Sequence, residues 1–275
     1  MASDQPQQAR AADKAAVPTR DDHTETLAGR AALVTGGTRG IGLAIARRLL
    51  NSGARVLVCG RSQPDRLPAG LDFAAADVRD PDQAAAMVNE AAHRFDRLDI
   101  VVNNAGGSPS VPAAVASPNL VTAVIRLNLL APFFVAQAAN AIMQDQPGGG
   151  QIINIGSVSA IRPAPGTAAY AAAKAGLITL TQALAIEWAP AVRVNCVTAG
   201  LVRTELSSAH YGDEAALDAV AATVPLARMA TPDDVADACL LLASPLAGYI
   251  SGANLVVDGG GQRPAFADAI GRGRP

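Results

Sequence analysis

The stretch Ala31-Ala32-Leu33-Val34-Thr35-Gly36-Gly37-Thr38-Arg39-Gly40-Ile41-Gly42 decides the fold of this 275-residue chain. Its first five residues form a short apolar run, which predicts a buried strand, and the glycines that follow predict a tight turn. Apolar residues then recur at helical spacing over Ile41–Asn51, before Ser52-Gly53, which is typical of a helix end. The stretch therefore predicts a strand, a turn and a helix in direct succession.

The glycines of this turn indicate phosphate binding. They permit positive φ and let backbone N–H groups approach a pyrophosphate at the N-terminus of the helix. The spacing is Gly-x-x-x-Gly-x-Gly, which departs from the common Gly-x-Gly-x-x-Gly. A tight turn with no ligand is the alternative. The position after a buried strand, near the start of the domain, favours a dinucleotide site.

Strands and helices alternate along the rest of the chain. Further strands are predicted at Arg55–Cys59, Asp72–Ala76, Asp99–Asn103, Gln151–Gly156, Val192–Val197 and Ala253–Val257. Further helices are predicted after Asp80-Pro81, at Val121–Met143, at Thr167–Trp188 and from Thr231 to about Ala243. This order predicts one doubly wound, Rossmann-type α/β domain, with a parallel sheet of about seven strands and helices on both faces.

Three segments complete the predicted organisation. Residues 1–26 are polar and lack an apolar core, which predicts a disordered N-terminal extension rather than a secretory signal. The folded domain is predicted over residues 27–261, and residues 262–275 form a tail rich in Arg, Pro and Gly. Val202–Val224 interrupts the alternation and would suit a mobile lid.

Charge and composition indicate which kinds of binding partner to expect. A net charge of −2 gives no reason to expect nucleic acid or an anionic membrane as a partner, and no run approaches the length of a membrane-spanning helix. The three histidines are far apart, so no metal site is predicted. The cysteines are scattered, without metal spacing, and are expected to be buried, reduced thiols of a cytoplasmic protein. They are Cys59, Cys196 and Cys239.

Tyr170 and Lys174 stand four residues apart on the predicted helix Thr167–Trp188, and Ser157 lies thirteen residues before the tyrosine. Residues at i and i+4 share one helix face. A phenol titrates near 10, and a neighbouring cation favours the phenolate. A serine hydroxyl can hydrogen-bond a carbonyl oxygen that gains charge during reduction. A Tyr/Lys pair alone is typical of an ordinary helix surface. Beside a dinucleotide site, it predicts proton transfer coupled to reduction.

The end of the second strand indicates which dinucleotide is bound. An acidic residue at this corner usually holds a free ribose 2′-hydroxyl. Here the strand ends in Cys59-Gly60-Arg61-Ser62, and the first acid is Asp65. Arg61, with Arg39 in the turn, suits a 2′-phosphate through guanidinium hydrogen bonds. NADP(H) is therefore favoured over NAD(H). The alternative is that both arginines are solvated surface residues.

Several further motifs match a family in order and on the expected elements. They are Asp77-Val78, Asn103-Asn104-Ala105-Gly106, Asn128, Ile250-Ser251-Gly252 and Val257-Asp258-Gly259-Gly260. Together with the glycine turn, Ser157 and the Tyr170/Lys174 pair, they resemble the short-chain dehydrogenase/reductase family in its compact single-domain form. The likeness runs from about Leu27 to Gly260.

The resemblance implies a catalytic role for four residues. Tyr170 would be the general acid/base, and Ser157 would hold the substrate carbonyl. Lys174 would lower the pKa of the tyrosine and bind the nicotinamide ribose. Asn128 would fix a water that links Lys174 to solvent, although it could also be a polar kink in a long helix.

The resemblance also implies cofactor contacts. Asn104, Ala105 and Gly106 would line the adenosine-ribose side, and Asp77 with Val78 would bind the adenine, although Asp77 could be only a turn residue. The other expected contacts are Gly36, Thr38, Arg39, Gly40, Ile41, Gly42, Arg61, Tyr170, Lys174, Gly200, Val202 and Thr204.

Two departures from the family pattern stand out. Ala199-Gly200 replaces the common Pro-Gly, which loosens the placement expected for Val202 and Thr204. Gly156 stands where the family often has serine, with no consequence expected.

The function expected from these features is NADP(H)-dependent interconversion of a ketone and a secondary alcohol. The segments predicted to face the substrate, Gly107–Ala116, Ala160–Thr167 and Gly200–Val224, are mostly small and apolar, with Arg162 and Arg203 as candidates for binding a carboxylate. This favours a neutral, hydrophobic carbonyl compound, such as a 3-oxoacyl thioester, a polyketide-like ketone or an alicyclic or steroid-like ketone.

Two alternatives to this function stay open. The first is an NAD-dependent secondary alcohol dehydrogenase. The second is a dinucleotide-sensing protein without turnover. An enoyl reductase is disfavoured, because relatives with that activity space Tyr and Lys more widely. The resemblance further implies a homotetramer, with the two longest predicted helices packing between subunits.

Overall fold

The computed structural model describes residues 27–207, 211–262 and residue 270. Seven strands form one sheet in the order β3-β2-β1-β4-β5-β6-β7, and every neighbouring pair is parallel. The strands are β1 Ala31–Thr35, β2 Arg55–Gly60, β3 Leu71–Ala75, β4 Ile100–Asn103, β5 Gly150–Ser157, β6 Val192–Ala199 and β7 Asn254–Val257. The predicted fold class is confirmed.

Seven α-helices accompany the sheet in the described part of the chain. They are α1 Gly40–Asn51, α2 Pro81–Phe95, α3 Pro118–Ile125, α4 Ala131–Asp145, α5 Ala168–Glu187, α6 Glu214–Thr223 and α7 Pro232–Ala243. The predicted strand and helix positions agree with these bounds to within a few residues, with one exception.

The exception is the single helix predicted over Val121–Met143. The structure divides this region into α3, a π-helical turn at Arg126–Leu130 and α4. Pro132 lies in the first turn of α4 and has no N–H to donate to the carbonyl of Asn128, four residues earlier. An uninterrupted α-helical ladder is therefore impossible here, and the chain widens into a π turn instead.

Helices cover both faces of the sheet, and two buried cores result. One core joins alternate strand residues such as Leu33 and Leu57 to α2, α4 and α5. The other joins Val34 and Val58 to α1 and α7. Near-continuous apolar strands such as β1 are what a parallel sheet buried on both faces requires.

The expectation that no run approaches the length of a membrane-spanning helix is wrong: two helical stretches are long and apolar enough by length and composition alone, Pro118–Asp145 and Ala168–Glu187. The α4 part of the first packs on β4 and β5, and α5 packs on β5 and β6. Because core helices of soluble proteins pass the same test, this is weak support for a membrane span.

The order of the strands in the sheet indicates where a ligand would bind. β2 lies beside β1 on one side and β4 lies beside it on the other, so the strand order reverses direction at β1. In open α/β sheets, ligands bind outside the carboxyl ends of the strands at such a reversal. The glycine turn follows β1, Asn104 follows β4, Ser157 ends β5 and Gly200 follows β6, so all four lie at one sheet edge.

Other predicted segments lie partly or wholly outside the described residues. The N-terminal extension over 1–26 lies outside them, and so does the tail, apart from Gln262 and Ile270. Of the predicted lid Val202–Val224, the structure describes all but residues 208–210, and its last part is α6.

Candidate active site

The glycine turn is shaped by two distinct needs. Gly36 and Gly40 have φ of +63° and +52°, in the left-handed region that favours glycine. Gly42 is required by close packing, because a Cβ there would lie 2.3 Å from the carbonyl oxygen of Gly36 and 2.4 Å from the side-chain nitrogen of Asn104. The turn thus brings bare backbone to the start of α1.

The N-terminus of α1 is suited to an anion. Arg39 occupies the N-cap position but makes no side-chain capping hydrogen bond, and the first turn contains no acidic residue. The first N–H groups of a helix lack partners within it and carry its positive dipole end. Such a helix end attracts an anion, although the Glu205 carboxylate lies nearby, with its Oε1 3.6 Å from where a Cβ of Gly40 would be. Thr204 also lies here, with its methyl group 3.9 Å from where a Cβ of Gly40 would be.

Thr35 and Asn104 hold the turn against β4. The Thr35 hydroxyl accepts from the backbone N–H groups of Asn104 and Ala105, each at 3.0 Å. The Asn104 side-chain amide donates to the carbonyls of Thr35 at 2.9 Å and Gly36 at 3.2 Å. Asn104 therefore braces the turn from within. Sequence reasoning missed Thr35, although a hydroxyl residue ending an otherwise apolar strand was the available signal.

Asp77 is paired with an arginine that sequence reasoning also missed. The Arg79 side chain donates to both carboxylate oxygens of Asp77, at 2.5 to 3.1 Å. The hydrogen bonds from Arg79 lower the pKa of Asp77 to about 2, and the charge of Arg61 contributes in the same direction. Asp77 is thus a fixed carboxylate, with Val78 buried beside it. Arg39 and Arg61 are exposed.

Ser157, Tyr170 and Lys174 come together at the ends of β5 and α5. Ser157 is the last residue of β5, and Tyr170 and Lys174 lie in the first two turns of α5. The Lys174 side chain is buried, and its Nζ lies 5.8 Å from the centroid of the Tyr170 ring. Nζ donates a hydrogen bond of 2.7 Å to the carbonyl of Ile155 in β5.

Burial determines the direction in which the pKa values of Lys174 and Tyr170 shift. Burial lowers the pKa of Lys174 from 10.5 to about 8. Burial also raises the pKa of Tyr170, and the hydrogen bond with Ser157 only partly opposes this rise. The net shift of the Tyr170 pKa is therefore upward, because desolvation of the phenol outweighs the hydrogen bond with Ser157, and the expected lowering by Lys174 stays a prediction.

Asn128 sits buried in the π turn, with its side chain fully engaged. Its amide nitrogen donates to the carbonyls of Gly107 and Val124, and its Oδ1 accepts from the N–H of Gly107, each at 2.9 Å. A Cβ at Gly106 would lie 2.8 Å from this Oδ1 and 3.3 Å from Lys174 Nζ. Asn128 therefore holds the loop after β4 next to Lys174.

Gly156 has a structural consequence that the sequence did not predict. A Cβ at this position would lie 2.7 Å from Thr198 Oγ1 and 2.8 Å from Cys196 Sγ. These two side chains of β6 occupy the space that a serine at 156 would need. The expectation that this departure has no effect is therefore wrong. A side chain at 156 would require Cys196 and Thr198 to move.

The two arginines considered for a substrate carboxylate are both paired with acidic residues. Arg162 lies in the loop after Ser157 and forms a 2.7 Å ion pair with Asp258, just beyond β7. Arg203 pairs with Glu214 at 2.6 Å. Gly200 permits the approach of the Asp258 segment, because a Cβ there would lie 2.7 Å from Asp258 Cα. Val202 bridges to Ala230.

Within the described ranges, no three His, Cys, Asp or Glu side chains group closely enough to hold a metal ion. The three cysteines are free and buried. The polar groups at the sheet edge are instead a phenol, a hydroxyl and an ammonium, which can pass a proton to an oxygen atom.

Comparison with known proteins places the chain in a family. A family model described as "Enoyl-(Acyl carrier protein) reductase" matches residues 36–262. The chain belongs to the short-chain dehydrogenase/reductase family. It is an NAD(P)-dependent oxidoreductase that acts on alcohol and carbonyl groups.

Individual relatives span several substrate types. A 3alpha-hydroxysteroid dehydrogenase of Mediterraneibacter gnavus is 37% identical over 248 residues, which is 85% of this chain and 97% of the relative. An L-rhamnose 1-dehydrogenase (NAD(P)(+)) of Azotobacter vinelandii is 36% identical over 243 residues, covering 83% and 94%. The solved structure of Thermoplasma acidophilum aldohexose dehydrogenase superimposes with a TM-score of 0.81 at 30% identity, covering 85% and 94%.

Proposed function

We propose that this protein reduces a neutral, hydrophobic ketone to a secondary alcohol with NADPH, and catalyses the reverse oxidation with NADP⁺. The observation that carries the proposal is the grouping of Ser157, Tyr170 and Lys174 at the carboxyl edge of the sheet, beside an uncapped α1. The family fixes the reaction class, and the proposal adds the cofactor, the substrate type and the role of each residue.

Each of the four site residues has one task. The bound cofactor supplies the hydride. Tyr170 donates the proton that the substrate oxygen needs, and Ser157 donates a hydrogen bond to that oxygen as its charge grows. The Lys174 ammonium stabilises the phenolate left behind. The carbonyl of Asn128, to which Pro132 cannot donate, is the acceptor for a water that carries protons to Lys174.

The cofactor contacts follow the edge of the sheet. The turn that contains Gly36, Thr38 and Ile41, with the start of α1, would hold the pyrophosphate. Asp77, Val78, Asn104, Ala105 and Gly106 would surround the adenosine. Gly200, Val202 and Thr204 would contact the nicotinamide side.

The preference for NADP(H) rests on the end of β2. No acidic residue ends that strand, and Arg61 follows it directly. The charge of Arg61 contributes to the lowered pKa of Asp77, which supports a position of its guanidinium on the proposed adenosine side. An NAD-dependent secondary alcohol dehydrogenase is the alternative, in which Arg39 and Arg61 remain solvated.

The preference for a neutral substrate rests on two arginines that are already paired with acidic residues. Arg162 and Arg203 lie within the substrate-facing segments, and Asp258 and Glu214 neutralise them. A substrate carboxylate would have to displace one of these partners. A neutral ketone meets no such cost, because the remaining residues of these segments are mostly small and apolar.

Other activities fit this site less well. Enoyl reduction agrees with the description of the matching family model, but family members with that activity space Tyr and Lys more widely than the four residues here. A cofactor sensor without turnover would not need Ser157, Tyr170 and Lys174 together.

We further propose a homotetramer located in the cytoplasm. Exposed apolar side chains lie on helices and beside the edge strand β7, where a second copy of the chain would cover them. Those on or beside the two long helical stretches are Val121, Leu130 and Ile186, and those near β7 are Leu246, Tyr249 and Val256. Size-exclusion chromatography with light scattering tests the stoichiometry, and a monomer would contradict it.

The experiment that tests the proposed reaction is a substrate panel. NADPH oxidation is measured with neutral ketones and 3-oxoacyl thioesters, and with keto acids and sugars of matched size. We expect turnover of the neutral compounds, and kcat/KM at least tenfold lower for the matched charged or polyhydroxylated ones. Binding of NADP⁺ without turnover of any carbonyl compound would favour the sensor instead.

A further inference from the structure

A cavity of about 170 Å³ lies against Tyr170, between the loop after β4, helix α3 and the first turn of α5. Its walls include Val111, Leu120, Val124 and Ala169, with Tyr170 itself as one wall. None of the described residues that line it carries a charge. A substrate whose carbonyl meets the Tyr170 hydroxyl would therefore have this cavity next to its neighbouring atoms.

The cavity offers little to a polar ligand. Of its lining residues with hydroxyl groups besides Tyr170, Ser108 donates to the carbonyl of Pro109 at 2.9 Å, and Thr167 donates to the carbonyl of Ala164 at 2.6 Å. Both hydroxyl protons thus bind neighbouring backbone carbonyls. A hydroxylated group inside the cavity would find no free hydroxyl donor on Ser108 or Thr167, only oxygen acceptors, whereas an apolar group needs no partner.

The volume sets the size of the occupant. An engineered apolar cavity of about 150 Å³ holds one benzene molecule. At about 170 Å³, this cavity accommodates a six-carbon ring, or a chain of similar bulk, and little more. A whole steroid nucleus or a long acyl chain would place only part of its atoms in the cavity, and the rest would extend through its open side.

Building on the proposed reaction, we infer that this cavity receives the larger of the two groups that flank the substrate carbonyl, and that this group is an apolar unit of about six carbon atoms. The substrate is then a compact aliphatic, alicyclic or aryl ketone. Leu120 and Ala169 set the depth of the cavity and determine this specificity.

A series of ketone substrates of increasing chain length measures the depth of the cavity directly. NADPH-dependent reduction of methyl n-alkyl ketones, with alkyl groups of one to nine carbons, is compared with that of cyclohexyl methyl ketone and phenyl methyl ketone. Each buried methylene contributes about 0.8 kcal/mol, so kcat/KM should rise about fourfold per carbon. The rise should stop near six carbons, where the cavity is full.

Two variants should move this optimum in opposite directions. Ala169→Leu fills the cavity and shifts the optimum to shorter chains, whereas Leu120→Ala deepens it and shifts the optimum to longer ones. Ala172→Leu is the matched control, because Ala172 is exposed on the same helix and does not line the cavity. Thermal unfolding by circular dichroism confirms that each variant is folded.

The outcomes separate this inference from the proposed reaction. A chain-length profile that is flat, or identical in both variants, overturns the inference while the reaction stands. If wild-type protein reduces no ketone, binding of the same series in the presence of NADP⁺ is followed by ligand-observed NMR. A binding optimum near six carbons that Ala169→Leu shortens supports the cavity and overturns the reaction. Binding without such an optimum overturns the inference.

Discussion

The ammonium of Lys174 donates a 2.7 Å hydrogen bond to the backbone carbonyl of Ile155 and thereby ties α5 to β5. This bond fixes the charged group beneath Tyr170, two residues along the strand from Ser157. No carboxylate contributes to the titration of Lys174, and burial alone lowers its pKa to about 8. The proposed site therefore has a lysine whose charge can be lost within an accessible pH range.

Ketone reduction should slow as the pH rises through about 8, because Lys174 then loses the charge that stabilises the Tyr170 phenolate. Tyr170 itself stays protonated over this range, since burial raises its pKa. The measurement is kcat/KM for NADPH-dependent reduction between pH 6 and pH 10 at constant ionic strength. Lys174→Arg keeps its charge, so any activity it retains should show no decline near pH 8. A wild-type profile that is flat to pH 10 would contradict this assignment.

Arg61→Ala should weaken the use of NADPH and leave the use of NADH nearly unchanged, because only NADPH has a 2′-phosphate for the guanidinium. Charge-assisted hydrogen bonds contribute about 1.5–3 kcal/mol, so kcat/KM for NADPH should fall about 10- to 100-fold. Arg66→Ala, at an exposed position further along the loop, is the control. No loss of NADPH use in Arg61→Ala would favour the NAD-dependent alternative, in which Arg61 is solvated, and equal losses with both cofactors would contradict a contact with the 2′-phosphate.

Thr35→Val should destabilise the glycine turn, because it keeps the side-chain shape but removes the acceptor for the N–H groups of Asn104 and Ala105. Leaving buried donors unpaired costs about 1–3 kcal/mol in the free energy of unfolding, measured by urea denaturation. The KM for NADPH should rise as well, since the turn is no longer braced. Thr35→Ser restores the hydroxyl and should recover most of both effects. Equal behaviour of the Val and Ser variants would rule out this brace.

Asp258→Asn should make the enzyme more tolerant of anionic substrates, because it removes the carboxylate that neutralises Arg162. We expect the ratio of kcat/KM for a keto acid to that for a neutral ketone of equal length to rise about tenfold. Combining Arg162→Ala with Asp258→Asn should abolish the gain. A ratio that does not change in Asp258→Asn would show that this ion pair does not govern substrate charge.

The local features of the fold were predictable from the sequence, and the contacts between distant segments were not. Apolar runs and the glycines after Thr35 located β1, the turn and α1, because these signals act over a few residues. The break in the helix around Asn128 was also readable, since Pro132 removes the necessary donor. The Arg162–Asp258 pair was not readable, because it joins residues 96 positions apart. The direction of the Tyr170 pKa depends on burial, which the i,i+4 spacing alone does not specify.

The most direct test of the whole account is the rate of NADPH-dependent ketone reduction by Tyr170→Phe, measured beside NADPH binding by fluorescence titration. Removing one hydroxyl should lower kcat/KM by about 10²- to 10⁴-fold, the usual contribution of a general acid, while the Kd for NADPH changes by no more than about twofold. Ketone reduction at the wild-type rate in Tyr170→Phe would contradict the assignment of Tyr170 as the proton donor.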